Sequence, residues 1–337
     1  MTRFASAGFL ALCGAAILLA SPGPAMAGNE GRGIGYAAAG PVFDLPAGVS
    51  VERLEVRISL YSVRLAYVFR SSVRRTTHFS LAMPDMPVDA SPDAIGIAEG
   101  DEAAGLVADT RPANYLDLSV RVNGREPALT GHGRALLDGK DVTRRLLDAG
   151  VPLLYDLDGE APWRRLAPKT RAMLEADGLL QLDAAQWTYQ ADFAWDQAFA
   201  PGETRVEISY VPAFAYWSDI NLDHFPEIAA GGPAARAYCI DDAVRRAFFS
   251  GKPRYDLYTV THLAAPPGGW RGAVGHYRLV VDKQYPTDMV AFCPLEAKKV
   301  SPTRFEWTAE NHTPSGAIGV LFFSDPDPTA SGGQARP

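Results

Sequence analysis

From Val51 onward, apolar and polar side chains alternate with a period of two. Leu54, Val56 and Ile58 interleave with Arg53, Glu55 and Arg57, and Val63, Leu65, Tyr67 and Phe69 interleave with Arg64 and Arg70. Successive side chains of a strand point to opposite faces, so this pattern predicts half-buried antiparallel strands. Past Ser71-Ser72, the run Phe79, Leu81, Met83 alternates again until Pro84-Asp85-Met86-Pro87 breaks it, which predicts a meander of three strands. Leu116, Leu118, Val120 and Val122 lead to an Asn123-Gly124 turn signal and predict a strand that turns back on a short partner near Pro127 to Leu129.

The period changes between Gly139 and Leu182. Asp141 is placed to cap a helix running through Leu147, with Gly150 and Pro152 ending it, and Pro168 opens a second helix stopped by Gly178. The stretch from Leu153 to Trp163 reads as the loop between them. Alternation then returns in its clearest form: Trp187, Tyr189, Ala191, Phe193 and Trp195 on one face, Thr188, Gln190, Asp192 and Asp196 on the other. With Pro201-Gly202 as the turn and Val206, Ile208 and Tyr210 following, this predicts a hairpin with a buried aromatic face. Ile240, Val244 and Phe248 stand at helical spacing over about Asp241 to Phe249. Five short aromatic or branched runs come last: Tyr255 to His262, Tyr277 to Val281, Met289 to Phe292, Phe305 to Ala309 and Ile318 to Phe323.

The pattern therefore reads as a mainly β protein with β-sandwich-like antiparallel sheets and a few short helices, arranged as two packed β-rich units. The expected division is residues 28–135 for an N-terminal unit, 136–182 for a helical insert and 183–324 for a C-terminal unit. The glycine-rich lead-in after Gly28 and the tail 325–337, which has almost no apolar content, read as irregular and disordered.

The chain start alters this picture. Arg3, an apolar run from Gly8 to Ala20 and the small-x-small triplet Ala25-Met26-Ala27 have the form of a secretory leader over residues 1–27, cleaved near Ala27. The apolar run is shorter than the roughly 20 residues of a membrane span, so no span is expected in the mature chain. Export implies the periplasm or the extracellular space. The full chain of 337 residues carries a formal charge of −7, and removing Arg3 leaves 31 basic against 39 acidic side chains, which argues against nucleic acid as a partner.

Of three cysteines, Cys13 leaves with the leader, and Cys239 and Cys293 enter an oxidising compartment. Neither has a CxxC partner or a histidine at finger-like spacing, so a structural disulfide is preferred over a metal site or a redox pair. Closing a loop of about 55 residues contributes on the order of 4 kcal/mol in the chain-entropy model.

Candidate chemistry is sparse. Asp219-Ile220-Asn221-Leu222-Asp223-His224 resembles the opening of a calcium loop, but His224 stands where the turn needs Gly, and Ala230 where a closing Glu belongs. A solvated loop accounts for the segment. The speculative ligand-binding set is Trp217, Asp219, Asp223 and His224, with Trp217 as an aromatic platform. Asp241-Asp242 reads as a helix cap rather than a catalytic pair, because adjacent helical positions point apart. The six histidines show no HExxH spacing, and GxSxG is absent. No catalytic residue, metal or cofactor is assigned. A non-enzymatic binding or structural role in the envelope follows, with an envelope protein or a small ligand as partner. The alternative is a carbohydrate-active hydrolase that recruits carboxylates from distant loops.

Several segments, in order, resemble the secreted bacterial proteins of domain-of-unknown-function family 4424. They are Tyr67-Val68-Phe69-Arg70, Met83 to Pro87, Gly139 to Thr143, and Trp187 with Trp195, Phe199 and Gly202. More specific are Tyr238-Cys239-Ile240-Asp241-Asp242, Leu279 to Lys283, Phe292-Cys293 and Lys299 to Phe305. The resemblance implies an extracytoplasmic protein with a shared disulfide at Cys239 and Cys293, and implies no known reaction. The glycine-rich start departs from the family pattern.

Overall fold

The computed structural model describes residues 37–38, 42–43, 45–82, 86–88, 96–97, 114, 116–153, 161–220, 235–236, 238–249, 255–264, 272–294 and 296–324. The leader, the glycine-rich lead-in up to residue 36, Met83 to Asp85 and the tail lie outside the described residues. So does most of the expected loop between the first two helices.

Among the described residues, fourteen strands of four or more residues follow one another as β1 (Val49–Ile58), β2 (Val63–Ser71), β3 (Arg75–Ala82), β4 (Ser119–Val122), β5 (Thr130–Leu137), β6 (Thr188–Phe199), β7 (Gly202–Tyr210), β8 (Ala213–Ile220), β9 (Tyr255–Leu263), β10 (Val274–Asp282), β11 (Met289–Phe292), β12 (Lys298–Ser301), β13 (Arg304–His312) and β14 (Ala317–Ser324). The helices described in full are α1 (Thr143–Asp148), α2 (Pro168–Ala176) and α3 (Asp242–Phe249). The protein is mainly β, as the period-two pattern predicts. Among the described residues no helix is long and apolar enough to cross a membrane.

Three larger sheets organise these strands. A seven-stranded sheet runs β12-β13-β10-β1-β2-β7-β4; it joins the two ends of the chain through a parallel pair, Arg53 to Ile58 of β1 against His276 to Val281 of β10. A second sheet places β6 between β5 and β3, with Trp195 opposite Phe79. The third runs β11-β14-β9-β8, with Gly96–Ile97 beside the start of β8. The seven-stranded sheet shares one apolar core with both others. Its β2 contributes Phe69, whose ring lies 5.8 Å from Phe79 of β3 and 5.4 Å from Phe199 of β6. At its other flank Phe305 of β13 meets Phe292 of β11 at 6.0 Å.

Three pairings differ from the sequence expectation. The segments on either side of Pro201-Gly202 form no hairpin: β6 pairs with β3 and β5, while β7 pairs with β2 and β4. Likewise β1 and β2 are a hairpin, but β3 leaves for the second sheet. In both places the chain turns a corner of the sandwich, so consecutive strands face each other across the core instead of sharing hydrogen bonds. Burial is the same in either arrangement, which is why alternation could not tell them apart. The expected short partner of β4 is reduced to a single bridge, Val122 with Arg125, and β4 pairs with β7.

A smaller apolar cluster lies on the opposite face of the third sheet. Tyr238, Ile240 and Val244 cover Leu257, Leu321 and Phe323 there. Gly319 leaves the room that the Tyr238 ring occupies, since a Cβ on it would come within 2.6 Å of that ring. Cys239 and Cys293 form the disulfide, with Cα atoms 5.3 Å apart, and tie this cover to the end of β11.

Candidate functional site

Alternation that buries Leu54, Val56 and Ile58 must turn Arg53, Glu55 and Arg57 to the other face, and the same rule holds across the seven-stranded sheet. Register then sets which charges meet. Arg278 of β10, opposite Glu55, bonds Glu55 at 2.5 Å and Glu306 of β13 at 2.6 Å. Asp282 accepts from Arg57 at 2.5 Å and from Arg304 at 2.7 Å. Arg70 pairs with Glu52 at 2.9 Å, Glu203 with Arg205 at 2.7 Å, and His276 with Glu310 at 2.6 Å. Hydrogen bonding from Arg205, joined by the charges of Arg53 and Arg70, holds the Glu203 carboxyl below its ordinary range.

Two arginines on this face stand apart. Arg64, directly opposite Arg57, donates to Ser62 Oγ at 3.2 Å, and Arg121 lies on β4 opposite Glu207. Among the described residues neither arginine is in an ion pair. Arg64 shares its row with Ser209 and Ser119, and Arg121 shares the next row with Glu207 and Ala66. The face is broad and charged: its central pairs among Glu55, Arg57, Arg278, Asp282, Arg304 and Glu306 are half-buried, and Arg53, Arg64, Arg70 and Arg121 around them are exposed.

The sheet is creased at one end of this face. A register shift between Val51 and Arg53 leaves Glu52 as a bulge in β1. Beside it, Gly275 of β10 comes so close that a Cβ would lie 2.7 Å from the Glu52 carbonyl oxygen. Asn311 of the neighbouring β13 adopts φ 51°. These irregularities bring Glu52, Arg53, His276 and Glu310 together at the bend.

Other chemistry-bearing groups have structural partners. Burial pushes the His262 imidazole down to about 4 and Tyr210 upward, and the two meet at 2.9 Å between Tyr210 Oη and His262 Nδ1. Lys283 Nζ donates to the carbonyls of Pro286 (2.7 Å) and Asp288, which ties the turn after β10; burial, then Lys299, brings its ammonium down to about 8. Asp241 Oδ1 accepts from the Val244 amide at 2.7 Å, the capping geometry its position predicts.

Of the four ligand candidates read from the sequence, Trp217 and Asp219 lie on β8, where Trp217 pairs with Leu257 and the register shifts before Ile220. Asp223 and His224 lie outside the described residues. Among the described residues no three His, Cys, Asp or Glu side chains converge as a metal site. The sequence reading missed the charged face as a candidate, although its signal, the polar half of each alternating run, was visible. Which arginine meets which acid depends on pairing between β1 and β10, more than two hundred residues apart in the chain.

Residues 29–321 match the model of a family described as a domain of unknown function, DUF4424. No curated protein matches the chain. Among solved structures, the chain is similar to a candidate nutrient binding protein of Legionella pneumophila, with 12% identity, 86% of this chain and 71% of that chain covered, and a TM-score of 0.40.

Proposed function

The chain belongs to the DUF4424 family, and on that premise we propose that it is an exported, non-catalytic binding protein of the bacterial envelope. Its surface for an envelope protein partner is the charged outer face of the seven-stranded sheet. One observation carries this reading: a lattice of arginines and carboxylates in which, among the described residues, Arg64 and Arg121 stand outside any ion pair. Charges of this kind steer and orient a partner more than they hold it, because each exposed pair is worth only about 0–1 kcal/mol. The leader-like residues 1–27 and the disulfide support a periplasmic or extracellular location. The segment holding Trp217, Asp219, Asp223 and His224 belongs to the same proposal as a secondary contact for a small ligand.

The test is native mass spectrometry of the protein recovered from its own envelope, beside an Arg64→Glu, Arg121→Glu double variant. The expected result is a retained partner in the wild type, lost in the variant while its melting temperature stays the same. A partner retained equally by both would move binding off this face. Turnover of envelope polysaccharide by the purified protein would replace the reading with the hydrolase alternative.

A further inference from the structure

The short hairpin Leu180–Gln181/Ala184–Ala185 closes through two residues, with Leu180 opposite Ala185 and Gln181 opposite Ala184. Both turn residues have positive φ, 50° for Leu182 and 67° for Asp183. A two-residue turn of this hand favours Asn and Gly, whose backbones reach that region at little cost. A leucine there is strained, since its side chain crowds the following carbonyl. Its side chain recovers nothing by burial: Leu182 is 96% exposed.

The turn is nevertheless held firmly. Trp163 Nε1 donates to the Asp183 carbonyl oxygen at 2.9 Å, and Arg164 Nε donates to Asp183 Oδ2 at 2.8 Å. Arg171 approaches Asp183 Oδ1 at 3.0 Å while also bonding Glu175. Trp163 is fully buried and packs edge-on against Trp187 at 5.6 Å, so the tip is anchored to the main core. Strain that the surroundings maintain, at a position where it yields no internal contact, points outward.

We propose that Leu182 is the central anchor of a second interaction surface, docking into a leucine-sized apolar pocket of a folded partner protein. A rigidly presented apolar side chain inside a rim of polar groups has the anatomy of an interface hot spot. Prior ordering of the turn lowers what binding must spend on immobilising it. The rim also discriminates between partner classes. Arg164 and Arg171 are paired with Asp183 and Glu175, so these four side chains carry no net charge between them, and one leucine by itself holds a lipid surface only weakly. A fluid lipid surface gains nothing from fixed side-chain geometry, whereas a shaped pocket does. The matching pocket has an uncharged rim. This surface is separate from the charged sheet face and stands whether or not that face binds.

The test places the photoreactive residue p-benzoylphenylalanine at position 182 of the intact protein in its own cell envelope, with the same residue at Val300, exposed on edge strand β12, as control. The expected result is a discrete protein adduct at 182 that is absent at 300 and maps to apolar residues of the partner. Unlabelled wild-type protein competes for it, and Leu182→Asn competes about thirtyfold less well, the loss that removal of a central anchor gives. Purified Leu182→Asn melts at the same temperature as the wild type or higher, because the turn is relieved. Equal competition by Leu182→Asn, adducts confined to phospholipid, adducts no different from the control, or a lower melting temperature would each overturn the proposal.

Discussion

His262 sits on β9 with 2% of its surface exposed, and its ring Nδ1 meets the hydroxyl of the buried Tyr210 of β7. Burial removes the solvation a charged imidazole needs, so the folded protein holds the ring neutral until the pH reaches about 4, against 6.5 for the free side chain. Between those values the unfolded chain binds a proton that the folded one refuses. The contribution is therefore fully present above about pH 6.5 and is lost as the pH falls through 4, by about 3 kcal/mol in total. Denaturant midpoints from neutral pH down to about 4 should fall more steeply for the wild type than for His262→Gln, which keeps a polar partner for Tyr210 but does not titrate there. Parallel curves would show that the imidazole charges freely in the folded state. Tyr67 is raised by its own burial first, then by the proximity of Tyr277 and Tyr210. The interior where the seven-stranded sheet meets the third sheet thus gathers phenols and one imidazole in their neutral forms.

Helix α3 shows how local signals and a long-range clasp divide the work. Asp241 caps it, Asp242 favours its positive end, and Val244 turns inward with Tyr238 and Ile240 onto the third sheet. That cluster is small, and the disulfide ties the segment before the helix to the end of β11. Reduction, or Cys239→Ser, is expected to lower stability by on the order of 4 kcal/mol, or less where the reduced chain keeps structure. It should also release the cover before the main core opens. Hydrogen exchange after reduction would then rise first in residues 238–249 and in the β14 amides beneath them. A uniform rise across all sheets would mean that the cover and the core unfold together. The cap of α3, most strands and the partnership of the two cysteines are legible in the sequence, because each depends on residues close in the chain or on simple pairing of what remains; β5, β8 and β12 are not, since their sequences lack clear alternation and only their neighbours in the sheets make them strands.

The strands of the seven-stranded sheet come from both ends of the chain, and β1 from the expected first unit pairs with β10 from the expected second. The same sheet shares its core with the second and third sheets, so loss of any one sheet uncovers apolar surface of the others. Calorimetry of the oxidised protein near neutral pH should accordingly show a single main transition, since the described residues lie in one compact unit. Two well-separated transitions of comparable enthalpy would instead mark the sequence division into two units as a division in stability. Period-two alternation by itself determined that the chain is built largely of half-buried strands and which side of β1, β2, β6 and β7 faces the core, whereas β9 and β14 are buried on both faces. Cysteine count determined the disulfide, and the turn and cap residues set the element ends. Only the tertiary structure decided that β6 and β7 lie in different sheets, that Asp282 lies between Arg57 and Arg304, that Tyr210 reaches His262, and that Leu182 is held strained in solvent. The physical reason is that alternation encodes a side chain's face but not its neighbour. A corner between sheets buries the same residues as a hairpin, and contacts across long loops are chosen by the packing of the whole chain.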